Sequence, residues 1–119
     1  MTKESQSVTA ADSSVTFINV FEIAADRVEA FMAQWQERAA LMSTKPGFID
    51  TRLHRARSSD DRFQLVNVAH WESQEAWEAA TADPEFTART RAAREGQEAP
   101  ITVNPSLYDV AVEFTAPTS

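Results

Sequence analysis

The chain contains no cysteine. Disulfide cross-links, thiol nucleophiles and thiolate metal sites are therefore all excluded. Histidine is nearly as scarce: His54 and His70 are the only two in 119 residues, and two such isolated imidazoles do not make a metal site. Basic residues are outnumbered, 11 against 18 acidic, for a net charge of −7. A nucleic-acid partner would favour a basic face, and the same balance argues against an anionic membrane surface. No run approaches the roughly 18 apolar residues that a membrane span requires. Thr2 to Ser14 is polar and acidic and lacks the apolar middle of a signal peptide. These absences lead us to expect a cytoplasmic protein with residues 1–14 as a disordered tail. The remaining length suffices for one domain with one modest core.

Within that domain, Phe63 to Trp71 is the most informative stretch. It follows a polar turn, Ser58-Ser59-Asp60-Asp61, and its β-branched and aromatic content reads as a strand. Strand side chains alternate between faces, so Phe63, Leu65, Asn67, Ala69 and Trp71 share one face and Gln64, Val66, Val68 and His70 the other. Both faces are mostly apolar, which implies cover on both sides. The first face carries a carboxamide among apolar neighbours. A buried amide without partners costs on the order of 1–3 kcal/mol, so Asn67 must bond to neighbouring backbone or await a ligand. Val15 to Ile23 repeats the pattern: Val15, Phe17, Asn19, Phe21 and Ile23 lie on one face, again with one asparagine.

Between these strands, Asp26 to Met42 spaces Val28, Phe31, Met32, Trp35, Ala39 and Met42 at three and four residues, which predicts one amphipathic helix. Lys45-Pro46-Gly47 ends it. Phe48 to Arg55 is a weaker strand that forms a hairpin with Phe63–Trp71 through the Ser-Asp turn. Glu72 to Ala82 is a second helix, with Ser73 as a cap and Ala76, Trp77 and Ala80 as its inner face. Asp83 caps a third helix that has Pro84 in its first turn and reaches Glu95. Gly96 to Pro105 is expected to be a loop, Ser106 to Phe114 the last strand, and residues 115–119 a loose tail.

The order strand, helix, strand, strand, helix, strand is the split βαβ pattern of a ferredoxin-like α+β fold, an antiparallel four-stranded sheet with helices on one face. Its first and third strands are central neighbours, which places Asn19 beside Asn67. The uncovered face offers Ile18, Val20, Val66 and Val68, an apolar surface for which a second copy is the simplest cover, so a homodimer is expected. The asparagine face, with Phe17, Phe21, Leu65 and Trp71, suits a cavity better than a close-packed core.

Phe17-Ile18-Asn19, Pro46-Gly47-Phe48, Asn67-Val68-Ala69-His70-Trp71-Glu72-Ser73 and Asp83-Pro84-Glu85-Phe86 together make Val15 to Phe114 resemble the antibiotic biosynthesis monooxygenases of the dimeric α+β barrel superfamily. Two branches of that superfamily differ at the site. In the haem-degrading branch, Asn19 matches the first-strand asparagine, but the tryptophan position falls on Ala80 and the iron-ligand histidine position on Arg89 or Thr90. In the cofactor-free branch, which converts anthrones to anthraquinones, Asn19, Asn67, Trp71 and Arg94 all match. The resemblance therefore implies a cofactor-independent oxidation of an aromatic polyketide-type substrate by O₂, with no metal, flavin or haem. Asn19, Asn67, Trp71 and Arg94 would supply donors and charge. Phe17, Phe21, Trp35, Leu65, Trp77 and Phe86 would bind the aromatic substrate.

Each assignment has a competing reading. Asn19 and Asn67 could be satisfied core amides, Trp71 a packing residue and Arg94 a solvated member of the series Arg89, Arg91, Arg94. Trp35 and Trp77 could be core, His70 is read as structural, and His54 is a weak acid–base candidate. A haem-binding protein and a non-catalytic binding protein, isomerase or cyclase remain alternative functions, because folds of this kind host many.

Overall fold

The computed structural model describes residues 13–95 and 101–117. The expected N-terminal tail lies almost wholly outside them. The elements are β1 (Val15–Glu22), a 3₁₀ turn (Ala25–Arg27), α1 (Val28–Met42), β2 (Phe48–Arg55), β3 (Leu65–Trp71), α2 (Gln74–Thr81), α3 (Pro84–Glu95) and β4 (Thr102–Tyr108). The strands form one antiparallel sheet in the order β2-β3-β1-β4, the ferredoxin-like arrangement. No helix among the described residues is long and apolar enough to cross a membrane.

Local chemistry sets the boundaries. Ser73 caps α2 by accepting the Ala76 N–H at 3.1 Å. Asp83 caps α3 by accepting the N–H groups of Glu85 and Phe86, both at 3.1 Å. Lys45 also donates to that carboxylate at 3.0 Å, tying the α1–β2 turn to the α2–α3 junction. These three donors hold the Asp83 carboxyl below its usual pKa, the Lys45 hydrogen bond foremost. Gly47 sits at φ 85°, and a Cβ there would come within 2.4 Å of the Ala76 Cβ. Its carbonyl accepts the Glu72 N–H at 2.7 Å. Only glycine allows both that backbone conformation and so close an approach of α2.

Two expectations are corrected. The third strand starts at Leu65, not Phe63. Gln64 turns its amide back onto the Ser58 and Asp61 carbonyls, at 3.0 and 2.6 Å, and Phe63 is left exposed with Arg62 over its ring. The last strand is Thr102–Tyr108, not Ser106–Phe114, so the end of the expected 96–105 loop is strand. Pro105 pairs in register with Asn19. It is tolerated because β4 is an edge strand, where a residue without an N–H does least harm to the ladder. The alternation continues through Val110, Val112 and Phe114, but β1 begins opposite this point, and those side chains are exposed.

The helices cover one sheet face, and the core beneath them is split. At one end Phe21, Ile23, Val28, Phe31 and Leu65 pack together. At the other, Met42, Ala69, Trp71 and Ala80 do. Full burial of an aliphatic side chain such as Leu65 or Val28 contributes about 1.5–3 kcal/mol, so two such clusters anchor the helices without filling the middle.

Candidate active site

Asn19 and Asn67 occupy the gap between the two clusters. They are register partners on the central strands, as the alternation predicts. A cavity of about 690 Å³ opens above them, large enough for a drug-sized molecule. The Asn19 Oδ1 accepts the backbone N–H of Asn104 on β4 at 3.0 Å. The Asn67 Oδ1 accepts the Thr51 hydroxyl of β2 at 2.6 Å. Each amide carbonyl is thus engaged by the strand flanking it, and each NH₂ group lacks a protein partner among the described residues. Asn67 is only 8 % exposed, so its free donor faces the cavity rather than bulk water.

Around this pair the cavity is lined by Phe17, Phe21, Trp35, Trp71, Trp77 and Phe86, all expected. Phe17 and Trp77 stack at 5.5 Å with their planes 32° apart, while Phe48 meets Trp71 edge-on at 5.2 Å. Trp71 is buried and faces the cavity. Arg94, exposed at the end of α3, also reaches the lining. Of the ten residues singled out in the sequence, Leu65 alone is absent from it: at 0 % exposure it packs against Val28 and Phe31 in the first cluster.

Five polar residues of the lining escaped the sequence reading: Arg38, Thr51, Thr81, Thr90 and Ser106. Thr51 orients Asn67. Arg38 projects from α1 into the lining, with its guanidinium 5.5 Å from the centre of the Phe31 ring. Burial lowers its pKa, against an opposing effect of the neighbouring Glu37, and it remains cationic at neutral pH. Thr90, on α3, carries a buried hydroxyl without a hydrogen-bond partner. For Arg38 and Thr90 the only sequence signal was spacing: Arg38 lies three residues from Trp35, and Thr90 four from Phe86.

No aspartate, glutamate or histidine lines the cavity among the described residues. Those residues also contain no group of three or more histidine, aspartate or glutamate side chains placed to hold a metal. His70 sits on the opposite sheet face, bonded to Asp50 at 2.6 Å, and His54, paired with Val66, shares that face. The described lining thus sets amide and hydroxyl groups and two arginines among aromatic rings.

Comparison with known proteins places the chain by family and fold. A family profile described as antibiotic biosynthesis monooxygenase matches residues 14–92. Deoxynogalonate monooxygenase of Streptomyces nogalater is 34 % identical over 80 residues, which cover 67 % of this chain and 65 % of that protein's length. The crystal structure of SnoaB, a cofactor-independent oxygenase from the same organism, superposes with a TM-score of 0.70 at 27 % identity, covering 87 % of this chain and 99 % of that one. A crystal structure from Shewanella loihica matches at 32 % identity with a TM-score of 0.68, covering 85 % of this chain and 97 % of that one.

Proposed function

Because the chain belongs to the antibiotic biosynthesis monooxygenase family, we propose that its cavity oxidises an anthrone-type aromatic substrate to the quinone with O₂ and without a cofactor. The observation that carries this reading is the pair of carboxamides whose carbonyls are tied back and whose NH₂ groups are free. Such preorganised donors stabilise an oxyanion that forms during reaction. They stand at the base of an aromatic cavity of the right size.

The substrate supplies all the electrons. An anthrone loses a proton from its CH₂ carbon to solvent, and the charge moves onto its carbonyl oxygen, where Asn19 and Asn67 donate. The enolate passes one electron to O₂. The resulting radical and superoxide combine at carbon to a peroxide anion, which takes a proton back from solvent to become a hydroperoxide and then loses water to leave a new carbonyl. One O₂ is consumed; one of its atoms enters the product and the other leaves as water. Trp71 donates from the side, Arg94 adds positive charge at the rim, and Phe17, Phe21, Trp35, Trp77 and Phe86 hold the rings and exclude water. The kindred names support the reading: a relative called deoxynogalonate monooxygenase and a structural neighbour called a cofactor-independent oxygenase. The haem alternative finds no support, since both histidines lie on the far face of the sheet and Arg89 pairs with Glu85 on the surface.

We also assign the outer sheet face to a second copy. Ile18, Val20, Val66 and Val68 form one patch there, and the arm beyond β4 exposes Val110, Val112 and Phe114, the last by 92 %. One chain leaves the first half-buried and the second exposed.

The test is aerobic incubation with 1,8-dihydroxyanthrone, followed at the quinone absorbance, alongside thermal unfolding of the same preparations. The expected result is turnover that falls about tenfold in Asn19→Ala and in Asn67→Ala with folding intact, below the 10²–10³ of a typical oxyanion-hole donor because the two amides partly substitute for one another. Full activity in a destabilised Asn67→Ala protein would mean that Asn67 is scaffold.

A further inference from the structure

The cavity inverts the charge of the protein around it. The chain carries 18 acidic and 11 basic residues, yet the charged side chains lining the cavity are Arg38 and Arg94, with no carboxylate among the described residues. The more exposed Arg55, Arg62 and Arg89 each find a glutamate, within 2.5–3.1 Å. Arg38 is half-buried and, among the described residues, has no carboxylate within ion-pair distance. An unpaired cation drawn out of water is costly, and the face of Phe31 compensates only in part. In the same lining, the Thr90 hydroxyl is buried and unsatisfied. Buried polar groups are normally hydrogen-bonded; the Thr90 hydroxyl is not, and with the half-buried Arg38 guanidinium in the same lining it points to a ligand group that engages both.

We propose that Arg38 and Thr90 form an anion subsite that takes a ring carboxylate of the substrate, opposite the asparagine pair on the sheet. A planar guanidinium matches both oxygens of a carboxylate, and the hydroxyl has a proton to give either one. The aromatic walls require that the carboxylate be carried on a flat ring system. The substrate class is therefore an aromatic polycyclic acid, oriented by its carboxylate so that the reacting carbonyl meets Asn19 and Asn67. This deepens the oxygenase reading and rests on it only for the chemistry, not for the binding.

The test uses two anthraquinones of one skeleton: rhein, which bears a carboxylate, and aloe-emodin, which bears a neutral hydroxymethyl at the same position. Titration of the full chain is read by quenching of Trp35, Trp71 and Trp77. Wild type should bind rhein about tenfold or more tightly than aloe-emodin, the ratio expected of a charge-assisted hydrogen-bonded pair. Arg38→Met should bring the ratio to near one, Arg38→Lys should retain part of it, and Thr90→Val should lower it by about threefold. A measurement on unmodified protein guards against a variant that does not fold: the preference should collapse as pH falls through the rhein carboxyl pKa. Equal binding of the two ligands by wild type, or a preference that survives Arg38→Met, overturns the proposal. Rhein preference without turnover of either corresponding anthrone would overturn the oxygenase reading and leave the subsite standing; turnover without preference would do the reverse.

Discussion

Replacing Asn67 by aspartate separates the oxyanion reading from a scaffold role more sharply than truncation does. The two side chains have the same shape, and the Thr51 hydroxyl that now donates to Oδ1 at 2.6 Å can donate equally to a carboxylate. What changes is the group turned to the cavity: a donor becomes an anion. Two like unit charges about 3 Å apart repel by roughly 5 kcal/mol at an effective dielectric constant near 20. Protonating the carboxyl instead costs about 1.4 kcal/mol per pH unit above its pKa, so the variant should react through its minor protonated form, which can again donate. From an ordinary aspartate value near 4, that costs roughly 4 kcal/mol at pH 7, or about 10³ in rate. Burial in the cavity raises the carboxyl pKa and softens the penalty, which gives an expected loss of about 10²–10³. The sign follows directly: the variant-to-wild-type rate ratio should rise about tenfold for each pH unit lowered until the carboxyl pKa is reached. The assay is initial quinone formation from 1,8-dihydroxyanthrone for both proteins across that range, with the ratio cancelling ionisation of the substrate. A ratio that is independent of pH and equal to that of Asn67→Ala would refute the claim that this amide faces developing negative charge.

Other consequences concern the frame and the surface. Gly47→Ala should lower stability by about 2–4 kcal/mol, from the left-handed backbone together with a 2.4 Å approach to Ala76, and this is measurable as a drop in the denaturant midpoint. Asp83→Asn should flatten the acid side of the stability curve. Because the folded carboxyl pKa is depressed, its contribution is full above the ordinary carboxylate range and is lost as pH falls through the folded value; urea unfolding at neutral and acid pH reads the difference. Val68→Glu should convert a dimer into a 13.2 kDa monomer in light scattering, since it would bury an unpaired charge, and a wild-type monomer at micromolar concentration would contradict the interface. Haemin titration should give no sharp Soret shift at one equivalent.

Most elements were legible because apolar residues recur at the helical or strand period, though Phe48–Arg55 alternates weakly and the last strand lies earlier than expected; the asparagine pair stood out because a carboxamide breaks an apolar alternation. Other features depended on tertiary placement. Alternation put Leu65 on the inner face, but whether it lines the cavity or packs is decided by Val28 and Phe31 above it. Pro105 read as a breaker because nothing local says that its strand lies at an edge. Thr51 was hidden by the register shift between Phe48 and Asp50 in β2. Arg38 follows Glu37 and looks like part of the polar face of α1; its place at the edge of the apolar stripe becomes meaningful only once α3 is packed against it.

The most direct test of the central claim is the fate of the oxygen atoms. Protein dialysed against chelator should convert 1,8-dihydroxyanthrone under ¹⁸O₂ to quinone carrying one heavy oxygen at the new carbonyl, with one O₂ consumed and no hydrogen peroxide released per turnover. Product that draws that oxygen from water, stoichiometric peroxide, or turnover that appears only when flavin, haem or metal is added would contradict it.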